Sequence, residues 1–117
     1  MRARVLIVDD HDAFRESAAA LLAAEGFDVV GAAADGLSGI AEVERLHPDL
    51  VLLDVRLPDL DGFAVAERVA ALANAPTVVL VSSREASTYS APLETTSARG
   101  FIAKRDLSAA ALATLLR

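Results

Sequence analysis

The sequence predicts an open α/β sheet: five parallel strands with helices on both faces. Three observations carry that prediction. Short apolar runs at 5–8, 29–32, 51–53, 78–81 and 101–103 are mostly β-branched and continuous rather than alternating, as strands covered on both faces require. The stretches between them place apolar residues at helical spacing. Strand and helix then alternate down the chain, which with right-handed crossovers gives one parallel sheet.

Taken in order, the first run ends at Asp9 and Asp10, and Asp12 is read as the N-cap of the helix that follows. Phe14, Ala18, Leu21 and Leu22 form one stripe of that helix, which ends before Gly26. A second helix is expected over about 37–46, stopped by His47-Pro48 because a residue before proline avoids the α region. A third is expected over about 63–73, with Asp61 as turn former or cap, and a last one over 107–116. Residues 84–99 fit least well. They carry many hydroxyls, and Pro92 in their middle breaks any long helix.

Composition bounds the function. A chain of 117 residues reads as one domain over 1–117, able to bury a core without disulfides or structural metal, and it has no cysteine. Its apolar runs are too short to cross a bilayer, and the N-terminal run ends in two aspartates, unlike a secretory signal. A net charge of −6 disfavours direct nucleic acid binding. The expectation is a cytoplasmic protein without membrane attachment.

In an open α/β sheet, ligands collect at the carboxyl ends of the strands. Asp9 and Asp10 end the first strand, Asp54 the third, Ser82 and Ser83 the fourth, and Lys104 the fifth. Singly, each suits a turn, a cap or a solvated surface. Together, on one rim, they point to a site. Three converging carboxylates repel unless a cation sits among them, and oxygen ligands with room for water suit Mg²⁺ (or Mn²⁺). A metal, a hydroxyl and a lysine then form a phosphoryl pocket. Asp54, between the acidic pair and the Ser82/Lys104 side, is the best-placed nucleophile for an aspartyl phosphate.

These residues carry a resemblance. VLIVDD (5–10), VLLDVRLPDLDGF (51–63), VVLVSS (78–83) and GFIAK (100–104) occur in the order and spacing of the receiver domain of bacterial two-component response regulators. The chain resembles that family over essentially its whole length. The likeness implies a flavodoxin-like (CheY-like), three-layer, doubly wound sheet of strand order 2-1-3-4-5. It implies that Asp54 accepts a phosphoryl group from a phosphohistidine of a sensor histidine kinase or phosphotransfer protein. It implies that Asp10, Asp54 and the backbone carbonyl of Arg56 bind Mg²⁺, with Asp9 acting partly through water. Ser82 takes the switch hydroxyl position, Lys104 that of the phosphate-pairing lysine, and Phe101 the aromatic switch position. Pro58 and Gly62 match the loop after the phosphorylation site. The domain is not expected to be an enzyme.

The departures are specific. Arg105, not proline, follows Lys104, so no cis peptide is expected there. A degenerate receiver kept only as an interaction module is the alternative, but no acidic residue, hydroxyl or lysine is missing. A flavodoxin-type cofactor binder is disfavoured by Asp9-Asp10, and a dehalogenase-type phosphatase by Arg56 where a second Asp is needed. His11 and His47 read as bystanders, and Lys104 as an exposed residue of little weight in stability. On phosphorylation, Ser82 is expected to move inward and Phe101 to turn from exposed to buried. A short or irregular fourth helix over 84–99, held chiefly by Tyr89 and Leu93, is expected to respond. With strand five and helix five it forms a face for a partner or a second copy.

Overall fold

Leu6 and Ile7 are neighbours in sequence but belong to opposite cores. Successive side chains of a strand leave opposite faces, and in the computed structural model, which describes residues 2–116, both faces are covered. The sheet comprises β1 (Arg4–Val8), β2 (Asp28–Ala33), β3 (Leu50–Asp54), β4 (Thr77–Ser82) and β5 (Gly100–Ala103). All pairings are parallel, in the order β2-β1-β3-β4-β5. The predicted topology is the observed one.

The helices are α1 (Asp12–Ala24), α2 (Gly36–Leu46), α3 (Gly62–Ala70), α4 (Ser90–Thr95) and α5 (Ala109–Leu116). One core joins Leu6, Val8, Val51, Leu53 and Leu80 to Val43 of α2 and Val65, Ala66 and Val69 of α3. The other joins Val5, Ile7, Leu50, Leu52, Val79 and Val81 to Ala18 and Leu22 of α1 and Leu112 of α5. Each large aliphatic side chain buried this way stabilises by about 1.5–3 kcal/mol. That surplus lets the central strands end in buried polar residues: Asp9, Asp54 and Ser82 are the buried polar or charged side chains among the described residues.

Helix ends follow local chemistry, with corrections to the sequence reading. Asp12 is not the N-cap of α1. His11 is, with an extended backbone and no side-chain capping bond, while Asp12 is the first helical residue and pairs with Arg15. A carboxylate in the first turn favours the helix dipole without capping it. In α2 the cap is Asp35, which accepts from Ser38 N at 2.8 Å. Asp59, from a distant loop, accepts from Gly36 N at 2.7 Å and Leu37 N at 2.9 Å. His47 ends α2 in the left-handed region at φ 50°, and Pro48 after it cannot continue the helix. Asp61 caps α3 through Phe63 N at 2.6 Å. That helix stops at Ala70 rather than Ala73, the chain reversing through Asn74 at φ 58°. The last helix begins two residues later than Leu107, where Ser108 Oγ accepts from Ala111 N at 3.0 Å.

Residues 84–99 are short and irregular, as expected: a 3-10 turn, Ala86–Tyr89, leads into the six residues of α4. Pro92 lies in the first turn of α4, where its missing N–H leaves no bond unmade. Tyr89 and Leu93 pack against the α2/α3-side core. Among the described residues no helix is long and apolar enough to cross a membrane.

Candidate functional site

The order of the strands brings the rim residues together. β3 is central, so Asp54, its last residue, stands between the end of β1 and the end of β4. Asp54 is 3% exposed and Asp9 is fully buried, whereas Asp10 is exposed. Gly62 makes this possible from the other side. A Cβ there would lie 2.3 Å from the Asp54 carbonyl oxygen, and Gly62 N donates to Val55 O at 2.7 Å. The N-terminus of α3 therefore presses directly on the backbone that carries Asp54.

Three carboxylates meet an imidazole and an ammonium here. His11 Nδ1 is 3.1 Å from Asp9 Oδ1, 3.2 Å from Asp10 Oδ1 and 3.9 Å from Asp54 Oδ2. Lys104 Nζ is 2.7 Å from Asp9 Oδ2 and 3.5 Å from Asp54 Oδ2. The Asp9 contact is an ion pair, and Lys104 is the partner of Asp9 Oδ2. Burial holds the Asp54 carboxyl above its ordinary range and Asp9 pushes it further, with Lys104 and the Arg56 N–H opposing. Ligand atoms of Asp9, Asp10, His11 and Asp54 all lie within 4.8 Å of one another. Three converging carboxylates, two of them buried and with a single ammonium between them, fit a divalent cation.

Two sequence readings change. Lys104 is not exposed: its side chain is 14% accessible, and Nζ sits 4.6 Å from the Phe14 ring centroid. His11, read as a bystander, lies inside the carboxylate cluster, whereas His47 caps α2 away from it.

On the β4 side, Ser82 Oγ accepts from Arg84 N at 3.1 Å and stands 3.1 Å from Tyr89 OH. Tyr89 lies between Phe63 and Phe101, with centroid distances of 5.8 and 5.9 Å. Phe101 is half-buried rather than exposed. The hydroxyl partnership of Tyr89 was not legible in the sequence, because it depends on how residues 84–89 coil. Arg56 N donates to Asp54 Oδ1 at 3.3 Å, and Arg56 and Arg84 line an open groove of ≈ 560 Å³ with Pro58, Thr88 and Tyr89.

The family model for the response regulator receiver domain matches residues 5–116. The chain belongs to that family. The curated relatives it matches carry different names. The chain is 46% identical over 90 residues to protein-glutamate methylesterase/protein-glutamine glutaminase 6 of Anaeromyxobacter dehalogenans (strain 2CP-C), covering 75% of this chain and 26% of that protein. It is 40% identical over 79 residues to the transcriptional regulatory protein PdtaR of Mycobacterium tuberculosis (strain CDC 1551 / Oshkosh), covering 68% and 38%. This receiver domain thus spans well under half the length of both. A CheY-like response regulator receiver domain protein from Methanospirillum hungatei JF-1 superposes with a TM-score of 0.82 at 28% identity, covering 98% of this chain and 94% of that one. Receiver domains take their signal from histidine kinases or phosphotransfer proteins and bind Mg²⁺ at an acidic cluster such as this one.

Proposed function

We propose that this receiver domain, taken as a single unit over 1–117, accepts a phosphoryl group on Asp54 from the phosphohistidine of a sensor histidine kinase or phosphotransfer protein. The observation that carries the reading is the buried Asp54 carboxylate at the end of the central strand, 3.5 Å from Lys104 Nζ. An Asp54 oxygen attacks phosphorus, the P–N bond to the donor imidazole breaks, and the departing nitrogen keeps the bonding electron pair. The product is an acyl phosphate. Asp9, Asp10, Asp54 and the Arg56 carbonyl are the groups that would hold Mg²⁺ or Mn²⁺. A cation bound there neutralises the facing carboxylates and the phosphoryl oxygens.

Lys104 pairs with one phosphoryl oxygen, exchanging a carboxylate partner for a phosphate. Ser82 donates its hydroxyl to another, and Phe101 follows into the space behind β4. The responding face is α4, β5 and α5, offered to a partner or a second copy. The degenerate-receiver alternative gains nothing from the site, where carboxylates, hydroxyl and lysine are all in place. With a charge of −6, the domain acts by protein contact rather than on nucleic acid, in the cytoplasm. It is a phosphorylated switch and not itself an enzyme; any catalytic or DNA-binding output lies elsewhere, on the same polypeptide or on a partner.

Incubation with acetyl phosphate and Mg²⁺, followed by intact-mass spectrometry, tests this. One alkali-labile phosphoryl group should be added and should be absent from Asp54→Asn. Unchanged phosphorylation of that variant moves the site elsewhere.

A further inference from the structure

We propose that His11 is a nitrogen ligand of the metal site and biases it toward late first-row ions such as Co²⁺ and Ni²⁺ over Mg²⁺. The inference rests on the metal reading above and extends it to a residue outside the expected ligand set.

The spacing is that of a coordination sphere. Donors about 2.1 Å from an octahedral ion stand about 3 Å apart on neighbouring vertices and about 4.2 Å apart across the ion. His11 Nδ1 is 3.1 and 3.2 Å from the Asp9 and Asp10 oxygens and 3.9 Å from that of Asp54. One ring nitrogen can donate a proton to only one of these acceptors. A cation among them engages all four groups at once.

The imidazole is not committed to the helix. His11 is the N-cap residue of α1, yet its side chain makes no capping bond. Its backbone N–H already holds Asp9 Oδ1 at 2.8 Å, fixing the loop that aims the ring. Lys104 Nζ holds Asp9 Oδ2 and stands 3.5 Å from His11 Nδ1, while the ring itself stands on Oδ1. The side chain is 66% exposed, so waters can complete the sphere.

The choice of metal follows from donor type. Carboxylates, a carbonyl and water suit Mg²⁺, which gains little from a nitrogen donor. Imidazole suits the late divalent ions, whose affinities climb from Mn²⁺ through Co²⁺ to Ni²⁺. His11 is thus a specificity-determining residue.

Titration calorimetry of the whole chain with MgCl₂ and, separately, NiCl₂ tests the inference on wild type, His11→Ala, His11→Asn and His47→Ala, at one mildly alkaline pH. Ni²⁺ affinity should fall roughly ten- to a hundredfold in both His11 variants, the scale on which loss of a metal-site partner is felt. Mg²⁺ affinity should stay within about twofold, and His47→Ala should match wild type. The visible spectrum of bound Co²⁺ should change in both His11 variants and not in His47→Ala. Mg²⁺ binding with equal Ni²⁺ affinity in wild type and His11→Ala overturns the role of His11. Failure of wild type to bind either ion overturns the metal reading beneath it.

Discussion

Ser82 Oγ and Tyr89 OH stand 3.1 Å apart, joining the end of the fourth strand to the irregular segment before α4. Ser82 is buried, and its oxygen also accepts from Arg84 N. A hydroxyl has one proton to give. When Ser82 gives it to Tyr89 it has none for a phosphoryl oxygen on Asp54, so the unphosphorylated contact competes with the phosphorylated one. Tyr89→Phe keeps the ring between Phe63 and Phe101 and deletes only the competitor. Loss of one such bond should cost about 0.5–1.5 kcal/mol of stability in the unphosphorylated protein, read as a lower urea midpoint. Affinity for beryllofluoride with Mg²⁺ should rise severalfold. An unaltered beryllofluoride titration would show that the hydroxyl pair does not restrain Ser82.

Asp54 and Asp9 repel across a buried site, and only Lys104 and the Arg56 N–H offset the burden on Asp54. Removing one of the two charges should relieve the fold. Asp54→Asn is therefore expected to be more stable than wild type in EDTA, and the gain should shrink when Mg²⁺ is added to both. Thermal melts with and without metal measure it. Equal shifts in both conditions would detach the repulsion from any cation.

Much of this was legible in the sequence because a strand buried on both faces must be apolar throughout. Runs such as Val51–Leu52–Leu53 then fix where the strands end, and strand ends fix where Asp54 and Ser82 stand. Contacts that cross between loops left no such trace. Asp59 bonding the first turn of α2 and Tyr89 reaching Ser82 both depend on loop geometry that periodicity does not encode. The burial of Lys104 was missed for the same reason. Its ammonium sits over the ring of Phe14 in α1, far earlier in the chain.

Gly62 shows how tightly the site is built. No rotamer relieves a Cβ 2.3 Å from the Asp54 carbonyl oxygen and 2.7 Å from Val55 Cα, because both are backbone atoms. Gly62→Ala should cost about 1–3 kcal/mol, the usual penalty for overpacking. It should also slow phosphorylation from acetyl phosphate by displacing the end of β3. Gly26→Ala is the contrast. There the cost comes from a φ of 95° with open space around the Cβ, so stability should fall while the phosphorylation rate holds.

The far end of the α4 segment is tied down by a carboxylate. Glu67 of α3 accepts from Ser97 N at 2.7 Å, Ser97 Oγ at 2.6 Å and Thr96 Oγ1 at 3.5 Å. The bonds from Ser97 hold its carboxyl below the ordinary glutamate range. A depressed acid pKa contributes stability that is present above the unfolded value and is lost as pH falls through the folded one. Residues 84–99 are thus anchored by Tyr89 at one end and by an acid-sensitive clasp at the other, with only a short helix between. Low local packing lets such a segment rearrange at small cost. Hydrogen exchange should show these residues exchanging faster than β4 in the unphosphorylated protein and becoming protected with beryllofluoride and Mg²⁺. Acidification through the glutamate range should lower the protection factors at 96–98 in wild type, and Glu67→Ala should leave them low at every pH. If residues 84–99 are fully protected from the outset and unchanged by beryllofluoride, the switching face lies on another part of the chain.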